Sequence, residues 1–271
     1  MDAAFRYLKW NDDVVGLVAP DLSVRFAEPR FNTTVGLYTH GQTSWTPDQF
    51  LQFLSERIMS PARRDIERLL FRRGLSEYDV FKIADATRAI NPRDELWLPP
   101  DASMAEAATE VFDAIFLQRT DAAGDSVDTP EGANVKRYGA SQGAYGIVKQ
   151  RISPLSTDVE SEVAASLLAE MLGMPCCRAW RFGDDAVFSA FEYDFTCEYL
   201  VHMRRLFDGP RGENELENLL AVRPQYADDL YRMIAFDFIT RQDDRHLSNI
   251  AVLVTKGGES FYPLYDNGRS L

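Results

Sequence analysis

No apolar stretch in this 271-residue chain approaches the roughly 18–20 residues that a membrane-spanning helix needs. The N-terminus, Met1-Asp-Ala-Ala-Phe-Arg6, also lacks the basic-then-apolar run of a secretory signal. Cysteine is scarce: Cys176 and Cys177 are adjacent, Cys197 stands alone, and none has metal-ligand spacing. That excludes a disulfide framework and makes reduced thiols in a cytosolic fold the expectation. Positive charge is in deficit, with 29 Lys and Arg against 42 Asp and Glu and a net charge of -13. Such an imbalance argues against a general nucleic-acid or anionic-membrane surface. There is no internal repeat and no low-complexity tract. These absences leave a soluble, acidic, cytoplasmic protein as the expectation, with no direct contact to nucleic acid or membrane.

What is present is ordinary globular composition, 45% hydrophobic and 26% charged, in a chain long enough for two domains. Residues 1 to about 28 alternate in a strand-like way and suggest a hairpin. From Thr46 the period changes. Thr46 is a plausible N-cap with Pro47 at the first helical position, and Phe50, Leu51, Phe53, Leu54 and Ile58 form one apolar face. Ser60-Pro61 predicts a second helix with Arg63, Arg64, Arg68, Arg72 and Arg73 outward, as a solvated face. A third helix is expected from about Glu77 to Ile90, and a further amphipathic one from Ser103 to Arg119. The breaker-rich segment Asp121 to Gly132 is the best boundary. It separates an N-terminal accessory domain at 1–120 from a second domain at 132–271.

After Gly132 the pattern is strand, glycine-bearing turn, strand, helix. Val135-Lys-Arg-Tyr138 leads through Gly139, Gly143 and Gly146 to Ile147-Val148-Lys149. A lysine ending an apolar strand can reach a nucleotide's phosphates if a helix carboxylate holds its ammonium, and Glu160 and Glu162 are both candidates. The spacing Gly-x-x-x-Gly-x-x-Gly matches neither common nucleotide loop, and a plain hairpin turn explains it about as well. Two strands are expected around Gly183-Asp184-Asp185. Glu192 to Phe195 would then be the connector whose backbone grips an adenine ring.

The last thirty residues are the most informative. Asp244-Arg245-His246-Leu247-Ser248-Asn249 is followed by the apolar run Ile250–Val254 and then by Tyr265-Asp266-Asn267-Gly268. An Asp and an Asn five residues apart, then an Asp before x-Gly, suit phosphoryl transfer from a nucleotide. One carboxylate orients the attacking hydroxyl, while an amide oxygen and a second carboxylate hold magnesium.

These residues resemble the HipA-like kinases, bacterial serine/threonine protein kinases of toxin–antitoxin and related systems. The similar stretches are Tyr145–Lys149, Glu162–Ser166, Phe236–Asn249 and Tyr262–Gly268, within roughly residues 132–271. Ser60–Arg64 and Asp94–Leu98 are weaker echoes of regions that precede such kinase domains. The resemblance implies an α+β fold, with a small N-terminal α/β domain followed by a bilobal kinase-like domain (N-lobe about 132–195, C-lobe about 196–271). It also implies ATP and magnesium as cofactors, a protein Ser/Thr hydroxyl as acceptor, and an antitoxin or other regulatory protein as partner. Carried over, Asp244 is the catalytic base, Lys149 the phosphate-contacting lysine and Glu162 its ion-pair partner. Asn249 and Asp266 are the metal ligands. Gly139, Gly143 and Glu192 are expected at the nucleotide by their place in the order of elements, the glycine spacing departing from the family's. His246 orders its loop by hydrogen bonding, since His40 and His202 offer it no metal-site company.

The sequence stops at Leu271, three residues past Gly268, so an incomplete C-lobe is expected. Helices at 198–207 and 228–240 should then expose an apolar face at Leu230, Ile234 and Phe238. Two other functions compete. Asp-Arg-His-x-x-Asn-Ile is also similar to the catalytic loop of phosphatidylinositol kinases, which points to a lipid or small-molecule kinase. A truncated, non-catalytic nucleotide- or partner-binding module is the third reading.

Overall fold

The computed structural model describes residues 6–27, 42–91, 96–99, 135–194, 198–206, 215–255 and 258–270. It divides into two compact units, Met1–Ile147 and Val148–Leu271, and its class is α+β. The expected helix at 103–119, the polar segment 121–132, His40, Cys197 and the Asp94-Glu95 pair lie outside the described residues.

In the first unit the N-terminal alternation becomes an antiparallel hairpin of β1 (Arg6–Trp10) and β2 (Asp13–Val18), with Leu8, Val15 and Val18 buried. Three short strands, β3 (Val24–Phe26), β4 (Ser44–Trp45) and β5 (Leu96–Trp97), complete a sheet in the order β4-β3-β2-β1-β5. Helix α1 (Pro47–Ser55) begins with a capping box. Thr46 Oγ1 accepts the Gln49 N–H at 3.3 Å, and Gln49 Oε1 accepts the Thr46 N–H at 2.9 Å. Two amides that a first helical turn leaves unpaired are thereby satisfied. Phe50, Phe53 and Leu54 form the inner face, with the Trp45 and Phe53 ring centroids 5.0 Å apart.

Several sequence expectations need correction here. The helix expected from Ser60-Pro61 begins at Ile66, as α2 (Ile66–Arg72). Asp65, at the cap position, is engaged elsewhere, because its carboxylate binds Arg63 and Arg68. Arg63 is not outward. It is buried, with Nε on Asp65 Oδ1 at 2.5 Å and Nη2 on the Lys136 carbonyl at 3.1 Å. The third helix is shorter than expected, α3 (Val80–Ala86). It is capped by Asp79 at one end and stopped by Arg88 and Ala89, both at positive φ, at the other.

Strands β6 (Lys136–Ser141) and β7 (Ala144–Gln150) are joined by a two-residue turn with Gln142 at φ 51° and Gly143 at 77°. Positive φ at both central positions is the turn that matches strand twist, which accounts for a glycine there. The division between the units falls inside β7. In the second unit β8 (Ala179–Arg181) and β9 (Ala186–Ala190) pair antiparallel.

Helix α4 (Asp158–Met171) presents Val159, Ser161, Glu162, Ala165, Ser166 and Ala169 inward. These are mostly small side chains, so the helix approaches β8 and β9 closely, and Ser166 Oγ donates to the Cys177 carbonyl while accepting the Ala179 N–H, both at 3.1 Å. The larger Leu167, Met171 and Leu172 are exposed. A separate three-stranded sheet, β10 (Tyr199–His202), β11 (Ala251–Thr255) and β12 (Gly258–Phe261), is antiparallel throughout. The expected helix at 198–207 is therefore a strand, followed by the single turn α5 (Met203–Leu206). Tyr199, Leu200 and Val201 are buried by pairing with Val254, Leu253 and Val252.

Helices α6 (Glu215–Val222) and α7 (Ala227–Thr240) follow. On α7, Leu230 is buried with Met233, Phe236 and Asp237, contrary to the expected open face. The exposed stripe is Tyr231, Ile234 and Phe238, with Ile239 beside it. Among the described residues no helix is long and apolar enough to cross a membrane.

Two substitutions separate cap from core in the first unit. Thr46→Ala should lower unfolding free energy by about 1 kcal/mol. Phe50→Ala, at a fully buried ring, should lower it by about 3–5 kcal/mol. Denaturant unfolding of the two variants checks both values and their order.

Candidate functional site

The second unit is organised around one ammonium group. Lys149, near the end of β7, donates from Nζ to Glu162 Oε1 at 2.8 Å and to Asp266 Oδ1 at 2.9 Å. The Glu162 side chain is 3% exposed, that of Lys149 18% and that of Asp266 40%, so the cluster runs from the interior outward. Burial by itself would lower the Lys149 pKa, but Asp266 and then Glu162 outweigh it and hold the amine above the ordinary lysine value.

Sequence alone left Glu160 and Glu162 as alternatives. Glu160 faces other partners. Arg151 donates to it in bidentate fashion, Nη1 and Nη2 each at 2.7 Å, and Arg181 adds a further ion pair. The hydrogen bonds from Arg151 hold the Glu160 carboxyl down at about 2. Its contribution to stability is therefore present above the ordinary 4.5 and is lost only as pH falls through about 2.

The segment carrying Asp266 is pinned by the backbone around it. Cys177 N donates to the Leu264 carbonyl at 2.7 Å and Leu264 N to the Pro175 carbonyl at 3.0 Å, laying Leu264 beside residues 175–177, which follow α4. Asp266 itself has φ 58°, uncommon for a residue with a side chain. Gln242, buried just beyond α7, donates from Nε2 to the Asp266 carbonyl at 2.8 Å. A Cβ on Gly268 would lie 3.2 Å from Glu162 Oε2, tight enough that the carboxylate would have to shift to admit it.

Asp244, Asn249 and His246 share the short loop after α7, where residues 247–249 form one 3-10 turn. Asp244 is exposed, and its carbonyl accepts from Asn249 Nδ2 at 3.0 Å. His246 Nδ1 accepts the Ser248 N–H at 3.2 Å. Tyr265 OH reaches across to the Ser248 carbonyl at 3.0 Å and to His202 Nδ1 at 2.8 Å.

The remaining expected site residues lie on other elements. Gly139 lies within β6 and Gly143 at the turn after it, both in the first unit. Glu192 pairs with Arg178 (Nε to Oε1, 2.7 Å) and gives its backbone N–H to Tyr262 OH at 2.9 Å. Cys176 accepts from Asn267 Nδ2 at 3.6 Å, and burial pushes its thiol up to about 12, which keeps it protonated and unreactive at neutral pH. Sequence reasoning gave no role to Asp237, Gln242 or Arg245, three polar side chains that the fold buries or half-buries against the Asp266 segment.

The expected metal ligands are chemically of the kind that magnesium takes. A carboxylate at Asp266 and an amide oxygen at Asn249 are hard oxygens, and magnesium usually takes one or two protein ligands beside phosphates and water. Among the described residues no group of three His, Cys, Asp or Glu is placed to hold a metal without a co-ligand.

No protein-family model matches this chain, and no curated protein does. Among solved structures, HipA of Shewanella oneidensis MR-1 is similar over 97% of this chain and 75% of that one. It belongs to a toxin–antitoxin complex with HipB and operator DNA, and the match has 15% identity and a TM-score of 0.61. The fold is HipA-like. CtkA, a proinflammatory kinase of Helicobacter pylori, is similar over 50% of this chain at 18% identity and a TM-score of 0.43. The present chain spans 55% of CtkA.

Two outcomes test the electrostatics of the site. The Glu160 carboxyl, followed by NMR, should titrate near 2, and Arg151→Ala should return it toward 4.5. Lys149→Ala strands the buried Glu162 carboxylate and should cost about 3 kcal/mol of unfolding free energy. Arg178→Ala, which breaks an exposed pair, should cost under about 1 kcal/mol. Denaturant midpoints of the two variants measure the contrast.

Proposed function

We propose that this chain is an ATP- and magnesium-dependent phosphotransferase whose acceptor is a Ser or Thr hydroxyl on a protein. The observation that carries the reading is the sharing of Lys149 Nζ by Glu162 and Asp266, across sequence separations of 13 and 117 residues. A lysine so held is oriented for phosphate oxygens. In this reading Glu162 keeps the ammonium charged and aimed, and Lys149 binds the nucleotide's phosphates. Asp266 and Asn249 hold the cation. When bound, magnesium supplies charge neutralisation on the phosphate oxygens during transfer. Asp244, exposed on its loop, accepts the proton of the incoming hydroxyl and orients that oxygen for attack. His246, through Ser248 N, and Asn249, through the Asp244 carbonyl, keep that loop in one shape. Gly139, Gly143 and Glu192 remain assigned to the nucleotide side of the site.

The same reading makes residues 132–271 the catalytic part, with N- and C-lobes meeting near 195, and residues 1–120 an accessory domain. It places the protein in the cytoplasm with a regulatory protein partner of the antitoxin kind. The HipA-like fold supports that partner class, since HipA was solved together with HipB.

The test is transfer of labelled phosphate from ATP to the protein itself or to lysate proteins. Transfer should require magnesium and fall by about 100-fold or more in Asp244→Ala. Absence of transfer by the wild-type chain, together with no magnesium-dependent nucleotide binding, overturns the assignment.

A further inference from the structure

Arg245 lies between the two halves of the motif and is almost wholly buried, its side chain 5% exposed beside an Asp237 side chain that is 10% exposed. A guanidinium has five N–H donors, and here each has an acceptor. Nε donates to Asp237 Oδ2 at 3.0 Å. Nη1 donates to the Asn249 carbonyl at 3.3 Å and the Tyr265 carbonyl at 2.6 Å. Nη2 donates to Asp237 Oδ1 at 2.9 Å and Asn267 Oδ1 at 2.6 Å. The five acceptors come from three places: helix α7, the loop of Asn249, and the residues on either side of Asp266.

That distribution has a purpose that stability does not supply. A buried ion pair is weak evidence of stabilisation, because desolvating both charges offsets most of their attraction, but it fixes geometry. Asp266 sits at φ 58°, a conformation that persists in a non-glycine residue only where its surroundings over-determine it. Arg245 holds the carbonyl before it and the side chain after it, while Gln242 holds its own carbonyl. The same guanidinium holds the backbone of Asn249.

We infer that Arg245, neutralised by Asp237, is the positioning residue that sets Asn249 and Asp266 in register for a divalent cation, without touching the cation or the nucleotide. The inference rests on the phosphotransferase reading. It adds that cation affinity, and not nucleotide affinity as such, is the quantity that Arg245 controls. Lysine cannot replace it, because three donors on a single nitrogen cannot serve five acceptors on three segments.

The experiment titrates magnesium into the full chain with a fluorescent ATP analogue, and measures analogue binding separately in EDTA. Arg245→Lys should raise the magnesium concentration at half-effect by 10-fold or more and leave the EDTA affinity within 2-fold of wild type. Asn267→Ala removes one acceptor and keeps the Asp237 pair, so it should shift the magnesium response by a smaller factor and serves if Arg245→Lys does not fold. Arg223→Lys, in the ion pair with Glu259 on β12, should leave the magnesium response unchanged. Equal weakening with and without magnesium in Arg245→Lys and Asn267→Ala, or no shift in either, overturns the inference and leaves the phosphotransferase reading standing. A wild-type chain whose analogue binding ignores magnesium overturns both.

Discussion

Lys149, Glu162 and Asp266 put one positive and two negative charges within hydrogen-bond reach of each other, and the Glu162 carboxylate has almost no access to water. A carboxylate at that depth is costly unless it is paired and hydrogen-bonded. The Lys149 ammonium supplies the partner at 2.8 Å, and so dictates where its neighbours lie. Strand β7 must end beside the first turns of α4, and the chain must return with Asp266 on the outer side of the same nitrogen. The small inward face of α4, the glycine at 268 and the pairing of residues 175–177 with 264 all read as adjustments that let three backbones come close enough for one amine to serve two acids.

Parts of this were legible in the amino-acid sequence because the physics there is local or chemically exclusive. Thr46 and Pro47 announce a helix start in two adjacent residues, and the cap forms there. Lysine and aspartate were singled out at 149 and 266 because few residue types can serve phosphate and cation together. The residue pattern left Glu160 and Glu162 open as the acid that meets the lysine, and only the family resemblance pointed to Glu162. Glu160 and Glu162 differ by two positions on a helix, hence by opposite faces, and only the packing of α4 on β8 and β9 decides between them.

The failures have a common origin in distant partners. Tyr199 to His202 is apolar enough for a helix or a strand, and β11, some fifty residues on, makes it a strand. Arg63 fits the polar face of a helix until the Lys136 carbonyl, 73 residues away, draws it inside. Arg245 was the hardest to read. An arginine flanked by aspartate and histidine in a polar loop looks solvated, and nothing nearby in sequence shows that Asp237 and Asn267 will close over it. Leu230 misled for a simpler reason, since the apolar residues of α7 cover most of its circumference and their spacing does not choose the inward side.

The 117-residue separation between Lys149 and Asp266 also bears on how the molecule forms. Contacts that close long loops come late, because chain entropy is lost before they return any energy. The Lys149–Glu162 pair can form as soon as β7 and α4 exist, from residues only 13 apart. Asp266 arrives after nearly the whole unit has been synthesised, along with the backbone bonds that lay residue 264 beside residues 175–177. The Lys149 cluster is therefore incomplete until residues 264–266 have joined the fold that holds residues 149 and 162.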